Sequence, residues 1–155
     1  MNKDYLVMGI GNPLLQDDRA GVEVVEALEA DGNFPGELEV AYTVGFEVLD
    51  KTLGRKKAVI VDACLLGREP GTILKLTVDD IMGSSSLSNS HAVTLGATLK
   101  TGYELFPEEM PEELSIILIE AENVSEFSRT CSPKVQKAVG ETISMIRDMA
   151  ASWVA

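Results

Sequence analysis

Hydrophobic and polar positions along the chain follow two alternating periodicities. Short apolar runs, which are typical of strands, alternate with stretches whose apolar residues recur every three or four positions, which is typical of helices. The predicted strands are 5–10, 38–43, 58–61, 72–76 and 114–119, and the predicted helices are 19–30, 46–53, 92–106 and one beginning at Pro133. This alternation predicts an α/β three-layer sandwich with a mostly parallel twisted sheet of about five strands and helices on both faces.

Turn and capping residues agree with these predicted elements. Asp17 and Asp18 stand just before the first helix, where N-cap and first-turn acids are common. Ser132 and Pro133 open the last helix as an N-cap followed by a proline at the first helical position. The Ser-rich segment from Gly83 to Ser90 is typical of a surface loop.

Composition and charge narrow the possible partners. The chain has 13 Lys and Arg against 25 Asp and Glu, a net charge of −12, which disfavours nucleic acid because phosphates would be repelled. No apolar run approaches the ~20 residues of a membrane-spanning helix, and the N-terminal apolar run is too short for a signal peptide. We therefore expect a single cytoplasmic domain over residues 1–155, acting as a monomer without membrane or nucleic-acid partners.

Several polar residues follow the predicted strands at their carboxyl ends, where ligands bind in open α/β sheets. The acids Asp17 and Asp18 lie in the loop after the first strand. Asp62 ends the central strand, and His91, the single histidine, follows the Ser-rich loop. Helix capping would account for either acid of the pair, and a capping or surface role would account for the histidine. A carboxylate ending a buried strand, as Asp62 does, is costly unless it is paired or bound.

These side chains also suggest a metal site. Two carboxylates and one imidazole that converge would offer two oxygens and one nitrogen to a divalent ion such as nickel or zinc. The three ligands are not local in sequence, so spacing alone leaves this hypothesis open beside the ordinary roles.

Two other kinds of site are disfavoured by the residues themselves. A dinucleotide site is disfavoured because an Asn-Pro pair interrupts the glycine pattern over 9–13 and the following acids would repel a pyrophosphate. A triad of Ser90, His91 and Asp62 is disfavoured because adjacent serine and histidine side chains do not easily adopt the geometry of nucleophile and base.

Four segments, taken together, carry a family resemblance. Residues 9–22, with the sequence GIGNPLLQDDRAGV, contain Gly-x-Gly-Asn-x-Leu followed by an acidic pair and small residues. Residues 59–63 form an apolar strand that runs into Asp-Ala, His91 precedes a leucine-containing helix, and 132–135 read Ser-Pro-x-Val. In this order, over essentially the whole chain, the segments resemble the hydrogenase maturation endopeptidases.

The resemblance implies a cytoplasmic α/β endopeptidase of this length. Such a protein removes a C-terminal extension from the large-subunit precursor of a nickel–iron hydrogenase after nickel has been inserted. The family pattern places the metal-binding and catalytic roles on Asp18, Asp62 and His91. The metal is then nickel presented by the substrate precursor, and zinc or cadmium are possible replacements in vitro.

The chain departs from the family pattern at three places, and two alternatives stay open. Arg19 stands where many members have glycine, residues 40–45 lack the acid of an Asp-Gly-Gly-Thr segment, and Ala121 replaces a proline. One alternative function is a non-enzymatic nickel-binding assembly factor with the same three metal ligands. A peptidyl-tRNA hydrolase-like esterase also opens with Gly-x-Gly-Asn-Pro, but its histidine is absent from 17–28.

Overall fold

A computed structural model describes residues 2–87 and 91–153 and confirms the predicted fold class. One five-stranded sheet carries helices on both faces. The strands are β1 (Tyr5–Ile10), β2 (Glu37–Ala41), β3 (Lys57–Cys64), β4 (Ile73–Leu76) and β5 (Glu113–Glu120). The helices are α1 (Ala20–Asp31), α2 (Phe46–Thr52), α3 (Val78–Met82), α4 (His91–Leu105) and α5 (Pro133–Ala151), with a 3₁₀ turn at Ser85–Leu87.

The sheet has the strand order β2-β1-β3-β5-β4. The strands β2, β1, β3 and β5 are parallel, and β4 pairs antiparallel with β5 at one edge. The carboxyl ends of β1, β2, β3 and β5 therefore meet along one edge of the sheet. We call this edge the carboxyl edge.

The pleat of each strand divides its side chains between two apolar layers. In β3, Ile60 and Cys64 pack in the layer formed with α2, α3 and α4, whereas Val59 and Val61 pack in the layer formed with α1 and α5. Asp62 shares the parity of Ile60 and Cys64, so its side chain is directed toward the layer of α4.

The structure differs from the sequence predictions at several boundaries. β3 does not end at Asp62 but continues to Cys64, because its pairing with β5 extends through Cys64 and Glu120. The short helix α3 was not predicted, although Thr77 and Asp80 form a capping box at its start. Predicted loop residues 88–90, which include Ser90, lie outside the described residues.

Close backbone packing sets the position of α1 on the sheet. A Cβ atom at Gly9 would lie 2.1 Å from the carbonyl oxygen of Gly21, and one at Gly21 would lie 2.4 Å from the carbonyl oxygen of Val61. The first turn of α1 therefore rests directly on the backbones of β1 and β3. Within 2–87 and 91–153, no helix combines the length and the apolarity that crossing a bilayer requires.

The packing at Gly21 generates a stability prediction. Gly21→Ala should lower the free energy of unfolding by about 1–3 kcal/mol, because the added methyl group meets backbone that cannot move aside. The matched control is Gly140→Ala in α5, where the new methyl group would meet no atom beyond the adjacent backbone of its own helix, so that helix propensity should make it neutral or stabilising. Urea denaturation measures both, and equal stability of the two variants would contradict the packing argument.

Candidate active site

The carboxyl edge contains a cleft of about 490 Å³ that brings the three predicted ligand residues together. Asp18 reaches it from the loop between β1 and α1, Asp62 from β3, and His91 from the first position of α4. The other lining residues are Ile10, Gly11, Tyr42, Ala63, Cys64, Leu65 and Val124. Residues from five separate segments of the chain thus border one opening.

Asp62 is a buried carboxylate with one oxygen left without a hydrogen bond. Its side chain is only 2% exposed. Oδ1 accepts a hydrogen bond from the backbone N–H of Ala63 at 2.9 Å. Oδ2 has no hydrogen-bond donor among the described residues, and buried oxygens in this condition are rare because desolvation is then uncompensated.

His91 is the closest ionisable neighbour of that oxygen. Nδ1 of His91 lies 3.3 Å from Oδ2 of Asp62, which is within the distance of an ion pair. The imidazole is 57% exposed, so one side of the ring contacts a buried carboxylate and the remainder is accessible from the cleft. This arrangement orients a histidine through one nitrogen and leaves the other available to a ligand.

The environment shifts the pKa values of both partners upward. Burial raises the pKa of Asp62 to about 6, and His91 opposes part of that rise. The contact with Asp62 raises the pKa of His91 above its usual value, while partial burial opposes the rise. The negative charge of Asp18 adds to the increase at both groups, so the three side chains form one electrostatic unit.

The backbone of Asp18 packs so closely against Gly11 that a side chain at position 11 would not fit. Gly11 has a φ of +152°, and a Cβ atom there would lie 1.9 Å from the carbonyl oxygen of Asp18. Oδ2 of Asp18 accepts a hydrogen bond from the backbone N–H of Asn12 at 2.9 Å. Oδ1 accepts none from the described residues, and the side chain is half-buried.

Asp17 has a structural role that differs from the predicted helix cap. The N-cap of α1 is Arg19, without a side-chain capping bond. Asp17 is fully buried, and its oxygens accept hydrogen bonds from the backbone N–H and hydroxyl of Ser132 and the backbone N–H groups of Glu122 and Asn123, at 2.7–3.0 Å. The two adjacent acids therefore have different roles. Asp17 joins loops that are remote in sequence, and Asp18 faces the cleft.

The buried acid Glu120 was not predicted as part of the site. It is 2% exposed at the end of β5 and accepts hydrogen bonds from the backbone N–H of Leu66 and the thiol of Cys64. Glu120 therefore holds the segment that follows β3, beside the cleft. An acid that directly follows the apolar run 114–119 is the same signal that singled out Asp62 and could have found it.

The described side chains form an open set of ligands. No three His, Cys, Asp or Glu side chains within 2–87 and 91–153 are already grouped closely enough to enclose a metal ion. Nevertheless, the unpaired oxygen of Asp62, the exposed imidazole of His91 and the carboxylate of Asp18 border the same cleft. Carboxylate oxygens and imidazole nitrogens are ligand types that divalent ions such as nickel and zinc accept.

Comparison with known proteins points to one family. Residues 22–149 match the family model HycI, described as hydrogenase maturation protease. A Methanocaldococcus jannaschii protein named for this activity is 39% identical over 106 residues, which are 63% of this chain and 66% of that protein. The hydrogenase 2 maturation protease of Escherichia coli K12 is 27% identical over 150 residues, which cover 92% of this chain and 90% of that protein.

A solved structure shows the same architecture. The hydrogenase maturating endopeptidase HybD from Escherichia coli superposes with a TM-score of 0.72 at 28% identity. The superposition covers 92% of this chain and 88% of HybD. The α/β arrangement around the cleft is therefore shared with a protein that is named an endopeptidase.

The hydrogen bonds of Asp17 generate a second stability prediction. Asp17→Asn should lower the free energy of unfolding by about 2–4 kcal/mol. The new amide NH₂ group would face N–H groups that now donate hydrogen bonds to the carboxylate, and two donors cannot pair. Asp50→Asn is the control, since Asp50 is exposed in α2 and the same chemical change there should cost less than about 0.5 kcal/mol. If urea denaturation gave the same small change for both, Asp17 would not hold these loops together.

Proposed function

Because the chain belongs to the family of hydrogenase maturation proteases, we propose that it removes the C-terminal extension of a hydrogenase large-subunit precursor that already holds nickel. In this proposal the nickel belongs to the substrate, and the cleft at the carboxyl edge recognises it. The substrate is a folded protein, and the product is the same protein with a shorter C-terminus.

One observation carries this proposal: the buried Oδ2 of Asp62, which lacks a hydrogen bond, lies beside an exposed histidine. The contacts with His91 and with the N–H of Ala63 offset only part of the desolvation of this carboxylate, because its pKa stays raised to about 6. A positive ligand that enters the cleft would supply the missing partner. Asp62 and His91 would then bind it from one side and Asp18 from another.

The openness of the ligand set supports a metal held by the precursor. A resident ion would need further protein ligands close by, and the described residues do not group three such side chains. Nickel bound in the precursor brings ligands from that protein, so three additional side chains suffice to recognise it. Recognition of the metal would restrict cleavage to precursors that are loaded.

Cleavage of a peptide bond then requires water to attack the scissile carbonyl carbon. The bond between that carbon and the amide nitrogen breaks, and the leaving amine takes up a proton. The chain offers two ways to remove the proton of the water: polarisation by the bound ion, which lowers the pKa of water toward neutrality, or transfer to a cleft carboxylate. Asp62, whose pKa is raised to about 6 in the free chain, would release any bound proton when the cation enters the cleft.

Intact-mass spectrometry tests the proposed function. The wild-type chain would be incubated with a large-subunit precursor from the same cell, once loaded with nickel and once without. The proposal expects loss of a C-terminal peptide in the loaded sample alone, and the mass of the product identifies the cleavage position. Equal cleavage of both samples would refute recognition through nickel, and an intact loaded precursor would refute the peptidase assignment for that substrate.

Substitutions at the cleft separate function from stability. His91→Ala and Asp62→Asn should each lower the rate of precursor cleavage by about 100-fold or more. Asp62→Asn should leave the free energy of unfolding unchanged or raise it, because it removes a buried charge with an unpaired oxygen. This outcome is opposite to that expected of the same change at Asp17, whose oxygens are fully paired. Full activity of either cleft variant would refute the assignment.

Metal affinity should depend on pH. Protons compete with a metal for Asp62, whose pKa is raised to about 6, and for His91, whose pKa is also raised. Cadmium or nickel titrated into the chain by calorimetry should therefore bind roughly tenfold more weakly at pH 5.5 than at pH 7.5. His91→Ala should bind weakly at both values, and affinity that is independent of pH in the wild type would exclude these two ligands.

A further inference from the structure

Large exposed apolar side chains are concentrated beside the cleft. Within the part of the chain that the structure describes, eight large hydrophobic side chains are exposed. Five of them, Leu14, Tyr42, Phe46, Leu65 and Phe127, lie in segments of the carboxyl edge. We call these five side chains the apolar rim. The remaining three, Met82, Leu105 and Phe106, lie at or just beyond the C-terminal ends of α3 and α4.

The topology accounts for the position of the rim beside β2 and β3. Tyr42 directly follows β2, and Phe46 begins α2 four residues later. Leu65 directly follows β3. Tyr42 and Leu65 also line the cleft, so the rim is continuous with the site that holds Asp62.

The loops after β1 and β5 complete the rim through a short antiparallel bridge. Leu15 pairs with Phe127, and hydrogen bonds join the N–H of Ser128 to the carbonyl of Leu14 at 3.0 Å and the N–H of Gln16 to the carbonyl of Glu126 at 2.9 Å. This pairing holds Leu14 and Phe127 in neighbouring segments, although they are more than 100 residues apart in sequence.

The exposure of these side chains is costly unless another molecule covers them. Phe46 is 90% exposed and Phe127 is 82% exposed, so two entire aromatic rings lie in water. With Tyr42, the three side chains expose roughly 400 Å² of surface in total, in the segments that follow β2 and β5. That area is about half of one side of a protein–protein interface of standard size.

The charge around the rim indicates the chemistry of the partner. The chain has a net charge of −12, and the loop that carries Phe127 exposes two acids, Glu122 and Glu126, against one base, Arg129. Asp18 and Asp62 add carboxylates at the centre of the cleft. A partner that covers the rim is therefore expected to present apolar side chains among Lys and Arg residues.

We propose that the apolar rim is the surface on which the large-subunit precursor docks, through an apolar segment flanked by basic residues. This inference rests on the proposed function and extends it, because it assigns binding of the protein to residues other than those that meet the metal. When the precursor docks on the apolar rim, the bound segment lies above the cleft that contains Asp18, Asp62 and His91. Affinity for the precursor then depends on the rim, and cleavage depends on the cleft.

The test uses two rim variants and one control of matched chemistry. Phe46→Ser and Phe127→Ser each remove a ring that is more than 80% exposed, so neither should unfold the chain. Leu105→Ser is the control, because Leu105 is 65% exposed at the end of α4, away from the carboxyl edge. Urea denaturation first establishes that the three variants remain as stable as the wild type.

Binding and cleavage of the purified precursor are then measured separately. Each rim variant should raise Kd for the nickel-free precursor in calorimetry, and KM for the loaded precursor, by about tenfold or more, with kcat unchanged. Leu105→Ser should match the wild type. Added salt should weaken binding by the wild type and by all three variants, because the surrounding charges remain.

The outcomes distinguish this inference from the proposed function. Unchanged Kd and KM in both rim variants, with a wild type that cleaves, would overturn the docking surface and leave the peptidase assignment standing. A wild type that binds through Phe46 and Phe127 but does not cleave would support the docking surface and refute the assignment. A wild type that neither binds nor cleaves the precursor would refute both.

Discussion

The site depends on a buried carboxylate that joins three separate parts of the chain. Asp17 accepts hydrogen bonds from the start of α5 and from the loop after β5, and it belongs to the loop between β1 and α1. That loop carries Asp18 and Leu14, and its pairing with 126–128 positions Phe127. Glycines at 9, 11 and 21 allow the same loop and helix to lie against the strand backbones. The side of the cleft formed by the loop between β1 and α1 therefore depends on the hydrogen bonds of Asp17 and on this glycine packing.

Asp17 and Asp62 are both buried, but the first has a structural role and the second is proposed to have a functional one. Both carboxylates are buried, but the oxygens of Asp17 are fully hydrogen-bonded and one oxygen of Asp62 is not. Full pairing stabilises the native state, whereas an unpaired buried oxygen is retained against its desolvation cost. In the proposed function, that cost is offset when Asp62 binds the nickel that the precursor carries.

Sequence patterns predicted the layers of the fold and the three cleft residues, but not the hydrogen bonds that position the loops of the cleft. Apolar periodicity determines which face of a strand or helix is buried, so the sheet and its major helices could be predicted. The role of Asp17 could not, because its donors lie more than 100 residues away at Glu122, Asn123 and Ser132. β3 was predicted too short because Asp62 resembles a strand end, whereas pairing with β5 extends the strand beyond it.

Nickel K-edge X-ray absorption of the loaded precursor tests the central claim most directly. Spectra would be recorded for the precursor alone and for its mixture with the wild-type chain, frozen within the first turnover. The account predicts that the wild-type chain adds oxygen and nitrogen scatterers to the nickel, with the multiple-scattering pattern of an additional imidazole, and that His91→Ala adds no imidazole. A nickel spectrum that stays the same with and without the wild-type chain, while cleavage proceeds, would contradict metal recognition by Asp18, Asp62 and His91.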